Sequence, residues 1–176
     1  MIFRNFPLDF VPTQSWRQPA GNLHGPGRHF GAGRPGPRWH AGCDLIAPEG
    51  SNVYGIDNGI VLYAGQLPIS YLPAAHVYEV QIEHRAFVVR YMELGHIAHG
   101  LARGSRVQAR DVIGTVGRMV NDSMLHFELY GGTVGGNVYQ AQNSTGYYYV
   151  DSGPYWRRRD LVDPTDELLE LSGNLP

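Results

Sequence analysis

Two stretches far apart in the chain carry residue types that can hold a metal ion. In Arg38-Trp39-His40-Ala41-Gly42-Cys43-Asp44-Leu45, an imidazole and a carboxylate stand at H-x-G-x-D spacing. In Met124-Leu125-His126-Phe127-Glu128, a second imidazole stands inside an alternating apolar run. Two neutral nitrogens and one carboxylate oxygen suit Zn²⁺ and leave a coordination position open for water. Such a centre keeps net positive charge, so the pKa of its water falls to roughly 7 and a nucleophile is available at neutral pH. The open position also admits a peptide carbonyl. The chemistry these residues could support is amide hydrolysis. Each has a plainer reading too: His40 and Asp44 as a loop pair, His126 as a core histidine with satisfied hydrogen bonds. Glu128 shares a strand face with His126, where it either orients a ligand as an outer acceptor or points into solvent.

The elements that must position these groups read mainly as strands. Gly42 argues against a helix between His40 and Asp44, which places them on a loop leading into a strand. Leu125, Phe127 and Leu129 alternate with Met124, His126, Glu128 and Tyr130, which predicts a strand over 125–130. Short strands are expected at 52–55 and 59–64 around a turn at Asp57-Asn58-Gly59. In 77–84, Tyr78, Val80 and Ile82 oppose Glu79, Gln81 and Glu83, the pattern of a half-buried strand. A tight turn at Arg85-Ala86 makes 87–92 its hairpin partner, and further short strands fall near Val107 and over 111–116.

The 23 glycines and 12 prolines agree with strands and turns. Residues 25–37 form a Gly- and Pro-rich loop of the kind that lines a site. No strand precedes it and no helix follows, which argues against phosphate cradling. Residues 1–24 are irregular, and 131–154 read as a long loop. Asp163 and Pro164 start a short terminal helix. The expected fold is mainly β, an antiparallel sheet or sandwich with long loops and a short C-terminal helix. Its expected division is an N-terminal segment 1–24, a core 25–130, and a Tyr-rich loop and helix 131–176 packed on that core.

The 176 residues suit one domain, and a net charge of −2 gives no electrostatic case for nucleic acid. No segment is apolar for long enough to cross a bilayer. Cys43 is the single cysteine, which excludes an intramolecular disulfide and reads as a small packed residue. The first residues lack the basic region and apolar run of a secretory signal. That pattern leaves cytoplasmic work, export without a cleaved signal, or a fragment. His84 reads as structural, and His24, His29 and His76 as surface. Tyr147, Tyr148, Tyr149, Tyr155 and Trp156 either rim a groove or pack a loop onto the sheet. Arg157, Arg158 and Arg159 read as solvated or paired with Asp160 and Asp163.

Beyond the two ligand stretches, further motifs follow in series: Phe30-Gly31 with Arg34, Gly50, Val53-Tyr54, Asn58-Gly59-Ile60-Val61, Arg90-Tyr91, Gly104, Val107 and Ile113-Gly114-Thr115-Val116-Gly117. In this order they resemble the LytM/lysostaphin-type zinc metallopeptidases, which cut peptide cross-links in bacterial cell walls. The resemblance implies the lysostaphin-type, duplicated-hybrid-motif-like fold. It also implies Zn²⁺ as cofactor, His40, Asp44 and His126 as its ligands, and a bacterial peptidoglycan peptide as substrate. The chain departs from the family twice. The usual R-Y-x-H-L reads Arg90-Tyr91-Met92-Glu93-Leu94, and the first histidine of H-x-H is Met124. This R-Y-x-E and M-L-H-F-E pair resembles a variant branch with secretion-associated members. Met124 cannot move a proton, whereas Glu93 can, and it becomes the expected general base. His96 and His99, expected on a loop after that strand, read first as solvated loop histidines, with substitution for Glu93 as the alternative. Met124, Arg34, Tyr91, His96 and Glu128 are expected in the outer shell or against substrate.

Such an enzyme acts in the periplasm or cell wall. The expected delivery is a type VI-like antibacterial route, with an immunity protein or secretion carrier as partner, or release at phage lysis. The competing expectations are a silent domain that binds wall or a partner enzyme, and a metal-stabilised structural module of a phage or secretion assembly.

Overall fold

A computed structural model describes residues 3–12, 16–17, 27–34, 38–67, 77–119, 122–132, 139–140, 156–157, 160–173 and 175. Its strands are Gly33–Arg34 (β1), Arg38–Trp39 (β2), Cys43–Ile46 (β3), Asn52–Tyr54 (β4), Gly59–Gln66 (β5), Tyr78–His84 (β6) and Phe87–Ile97 (β7). Arg106–Val107 (β8), Val112–Val116 (β9), Met124–Tyr130 (β10), Tyr139–Gln140 (β11), Trp156–Arg157 (β12) and Leu161–Val162 (β13) follow, then the helix Thr165–Ser172 (α1). Nine strands join one sheet in which every pairing is antiparallel. The mainly antiparallel fold with one short terminal helix agrees with the sequence. The Gly-rich stretch expected as pure loop holds the small β1–β2 hairpin.

The strand β10 is the axis of the site. One of its edges pairs with β7, and the other pairs first with β3 and then with β13. Its odd-numbered side chains Leu125, Phe127 and Leu129 enter the main core with Leu45 of β3, Val80 and Ile82 of β6, and Val89 and Tyr91 of β7. Each such apolar side chain taken fully from water contributes about 1.5–3 kcal/mol. That burial sets which face each strand turns inward, because a one-residue slip would expose the whole set. The second half of β7 pairs with β9, which pairs with β4, so Val53, Ile113 and Val116 share the same core. Leu168 and Leu171 of α1 join it, as do Phe3, Phe6, Leu8 and Trp16 from the N-terminal segment. The helix begins one residue later than expected. Pro164 takes the cap position, and the Asp163 carboxylate accepts the Thr165 N–H at 2.9 Å.

The expectation of a half-buried β6 is corrected. Glu79 and Gln81 are as inaccessible as Val80 and Ile82, at 2% and 5% exposed. A polar face buried this deeply must carry partners, since unpaired buried charge is costly, and those partners are described below. The strand β7 also runs to Ile97, past its expected end, and carries the non-glycine residue Glu93 at φ +64°. At that point β7 passes from its pairing with β10 to its pairing with β9.

His84 closes a hydrogen-bonded chain in the core. The Asn58 carbonyl, 3.2 Å from Nδ1, can only accept, so Nδ1 carries the proton and Nε2 accepts the Tyr91 hydroxyl at 3.0 Å. That hydroxyl oxygen in turn accepts the Ile56 N–H at 3.1 Å. Burial pushes the imidazole down to about 4, outweighing the opposing bond to Asn58. The unfolded ring titrates near about 6.5, so the unfolded chain takes up the proton first as pH falls. The contribution of the neutral ring is therefore complete above about pH 6.5 and lost progressively toward about pH 4, with a limit of about 3 kcal/mol. Thermal unfolding between pH 7 and 4 should fall more steeply for wild type than for His84→Gln. Equal slopes would remove His84 as the cause.

Candidate metal centre

The register of β3 against β10 sets Asp44 directly opposite His126, while His40 approaches from the segment just before β3. Gly42 makes this possible. A Cβ there would stand 2.2 Å from the Phe127 carbonyl oxygen and 3.1 Å from His126 Nε2. The result is a tight trio: His40 Nε2 lies 2.9 Å from Asp44 Oδ1, His126 Nδ1 lies 2.8 Å from the same oxygen, and the two nitrogens are 3.1 Å apart. All three residues are buried. Among the described residues they are the group able to offer three ligand atoms to one ion.

The donor set fits zinc. Ligands at roughly 2.0–2.1 Å from a tetrahedral zinc stand about 3.3 Å apart, close to the spacing observed. The far ring atoms are held as metal ligation requires. The His29 carbonyl lies 2.8 Å from His40 Nδ1 and accepts its proton, which leaves Nε2 as a lone pair facing the trio. The Glu128 carboxylate, 3.1 Å from His126 Nε2, does the same for that ring, leaving Nδ1. Burial alone would raise the Asp44 carboxyl. Without a metal, protons on the two inner ring nitrogens outweigh it, through the charge of His40 and hydrogen bonds from both rings, and hold the group well below the usual carboxylate range; a metal cation takes the place of those protons.

Two guanidinium groups reach the other oxygen of Asp44. Arg28 Nη1 is 3.4 Å and Arg34 Nη2 3.5 Å from Oδ2. Arg28 also pairs with Asp122, and its Nη1 lies 3.2 Å from Met124 Sδ. Burial works against the Arg28 charge, but Asp44 and Asp122 outweigh it and raise its pKa. Arg28 was not anticipated, and Arg34 was.

Behind the trio lies a dry ionic chain across three strands. The Arg90 guanidinium donates from Nε to Glu79 Oε2 at 2.7 Å, pairs with the same carboxylate through Nη2, and donates from Nη1 to Glu128 at 3.2 and 3.4 Å. Gln81 donates to the second oxygen of Glu79 at 3.1 Å, and the Tyr130 hydroxyl to Glu128 at 2.6 Å. Arg90 and Glu128 are wholly inaccessible, so the solvent-facing alternative for Glu128 is overturned.

Of the other expected site residues, Glu128 contacts His126, Arg34 contacts Asp44 and Met124 contacts Arg28 beside them. Tyr91 points into the opposite face, where its ring packs edge-on against Phe127 and its hydroxyl joins His84 and Ile56. His96 is exposed, lies within β7 rather than on a loop, and pairs with Thr115 of β9. His29, expected at the surface, is buried at 1% exposed, and its backbone serves His40. Cys43 is buried, and that burial pushes its thiol up to about 12.

Glu93 occupies an irregular position that strict alternation would miss. Tyr91 and Leu94 both belong to the core although three residues apart. The positive-φ kink at Glu93 and the slipped register opposite Tyr78 and Glu79 supply the extra residue. Met92, the register partner of His126, lies outside the main core in a small cluster with Leu67 and Val77, and Glu93 follows it, half-buried with its Oε2 enclosed. His24, His76, Tyr147, Tyr148, Tyr149, Tyr155, Arg158 and Arg159 lie outside the described residues, as do the side chains of Trp156 and Arg157.

No curated protein matches the chain. Solved structures do. The catalytic domain of the prophage-encoded M23 protein EnpA from Enterococcus faecalis is 23% identical with a TM-score of 0.51, over 74% of this chain and 87% of that one. The catalytic domain of the antimicrobial peptidase lysostaphin from Staphylococcus simulans is 19% identical with a TM-score of 0.50, over 74% and 80%. A zinc-containing peptidase from Vibrio cholerae is 23% identical with a TM-score of 0.51, over 73% of this chain and 36% of that one. The match thus spans about a third of the Vibrio protein. These likenesses establish a lysostaphin-type fold. The sequence profile of peptidase family M23 matches residues 38–141, well over half of the chain.

Proposed function

We propose, because this chain belongs to peptidase family M23, that it is a zinc-dependent endopeptidase acting on the peptide cross-links of bacterial peptidoglycan. One observation carries the reading: His40 Nε2, Asp44 Oδ1 and His126 Nδ1 converge to within 3.1 Å of one another, with the outer nitrogens of both rings held by fixed acceptors. These three residues would hold the ion. When bound, zinc supplies Lewis-acid chemistry, polarising the scissile carbonyl and easing the deprotonation of water.

The remaining work falls to the chain's own groups. Asp44 and the two rings are fixed before substrate arrives, so little reorganisation accompanies reaction. Arg28 and Arg34 steady the outer oxygen of Asp44. Glu93 takes a proton from the attacking water and returns it to the leaving amine nitrogen, so the amide and one water become a carboxylic acid and an amine. Its place at the β7 kink, one residue beyond Met92, the register partner of His126, supports this role.

The substrate lies in the wall, so the site of action is the periplasm or cell wall. An antibacterial effector delivered by a type VI-like route, with an immunity protein or carrier, is the finer form of the proposal. The test is digestion of purified sacculi with metal analysis, for wild type and Glu93→Gln. Wild type should bind one zinc and release peptide fragments. Glu93→Gln should retain zinc and lose activity by about 10²–10⁴-fold, the usual worth of a general base. Export to the periplasm of a susceptible host should cause lysis with wild type alone.

A second reading has its own support in Met124, which stands on the site face with its sulfur against Arg28 and can carry no proton. Full zinc content with intact sacculi in both proteins would favour that reading, a silent module that binds wall or builds an assembly.

A further inference from the structure

We infer that Glu79, which touches none of the three metal-holding residues, is a positioning residue that sets metal affinity through Arg90 and Glu128. This rests on the zinc reading above and deepens it. The three links lie on adjacent strands: Gln81 and Glu79 on β6, Arg90 on β7, Glu128 on β10. The guanidinium is shared unequally. It meets Glu79 through Nε at 2.7 Å and again through Nη2, but reaches Glu128 only through Nη1 at 3.2 and 3.4 Å. Of these two carboxylates, Glu79 therefore answers more of its charge. Glu128 keeps its negative charge for the His126 Nε2–H, 3.1 Å away. A strongly accepting carboxylate on one ring nitrogen makes the other a better donor to a metal.

The charge count points the same way. With both rings neutral, the buried charges here among the described residues are the carboxylates of Asp44, Glu79 and Glu128 and the guanidinium of Arg90, with Arg28 and Arg34 reaching Asp44 from the partly exposed side. Behind His126, Glu79 and Glu128 together exceed Arg90 by one negative charge, which favours a cation at the trio. Removing the charge of Glu79 turns Arg90 more strongly upon Glu128. The pull on His126 weakens and that surplus negative charge disappears, although every ligand stays in place.

The experiment compares wild type, Glu79→Gln and Glu128→Gln, the last keeping an acceptor for His126 Nε2–H while removing the charge. Zinc dissociation constants are read by competition with a chromophoric chelator. Ring ¹⁵N and Nε2–H resonances of His126 are read on metal-free protein. Glu79→Gln should weaken zinc binding by about tenfold or more, within the range of outer-shell changes, and move the Nε2–H resonance upfield. Glu128→Gln should do both more strongly. A purely structural role predicts lower melting temperatures for the metal-free variants with unchanged zinc affinity per folded molecule, and that result overturns the inference. Should wild type bind no zinc, the proposed function fails. The metal-free resonance then decides the inference alone: an unmoved His126 signal in a folded Glu79→Gln, or in Glu128→Gln if the former does not fold, overturns it.

Discussion

The His126→Ala protein is expected to bind zinc more than about a hundredfold more weakly than wild type and to leave sacculi intact. Outer partners of a ligand already change affinity roughly 10–100-fold. His126 is one of the three proposed ligands, so its loss should exceed that range. The variant removes Nδ1 from the trio, where it stands 2.8 Å from Asp44 and 3.1 Å from His40. The fold should survive, because β10 is anchored by Leu125, Phe127 and Leu129 on its other face. Glu128 loses one donor but retains Arg90 and Tyr130. Chelator competition and circular dichroism measure the two halves of this expectation. A folded variant holding zinc as tightly as wild type would take His126 out of the ligand set and the proposed function with it.

Gly42→Ala should be damaging for a different reason. The added methyl carbon would lie 2.2 Å from the Phe127 carbonyl oxygen and 2.9 Å from its carbon. These are backbone atoms of a central strand and cannot swing aside as a side chain could. Either β3 separates from β10 or the segment from His40 to Cys43 moves, and each breaks the alignment of Asp44 with His126. Overpacking in a well-filled interior costs about 1–3 kcal/mol, and a rigid obstacle argues for the upper end. A loss of about 3 kcal/mol lowers the melting temperature of a chain this size by roughly 6–12 °C. Zinc binding should fall with it, although no ligand is altered. A melting temperature within a degree or two of wild type would show that the close approach is not required.

Much of this centre was legible in the residues themselves. His40, Asp44 and His126 stand out because metal ligation restricts residue type more tightly than packing does. Period-2 alternation correctly put Glu128 beside His126, and Glu79 beside Gln81. What it could not supply is depth. A polar face reads the same whether water or protein covers it, so β6 was expected half-buried when its charges are sealed into a network with Arg90. Register irregularities are equally invisible: the kink at Glu93 depends on β7 changing partners from β10 to β9, a relation between distant strands. Arg28 escaped notice because a lone arginine in a Gly-rich loop has no pattern. His29 misled because its contribution is a main-chain oxygen, which no side-chain motif records.

The N-terminal segment bears on where the unit can be cut. The profile match begins at residue 38, yet Phe3, Phe6, Leu8 and Trp16 sit in the same hydrophobic body as Phe127 and Leu129. The Arg4 guanidinium clasps the enclosed Asp57 carboxylate, and the Pro7 carbonyl accepts the Tyr54 N–H. Borders drawn by similarity and borders drawn by folding therefore disagree by some thirty-five residues. A chimaera that transplants only the recognisable portion would carry an open aromatic socket in place of its wedge.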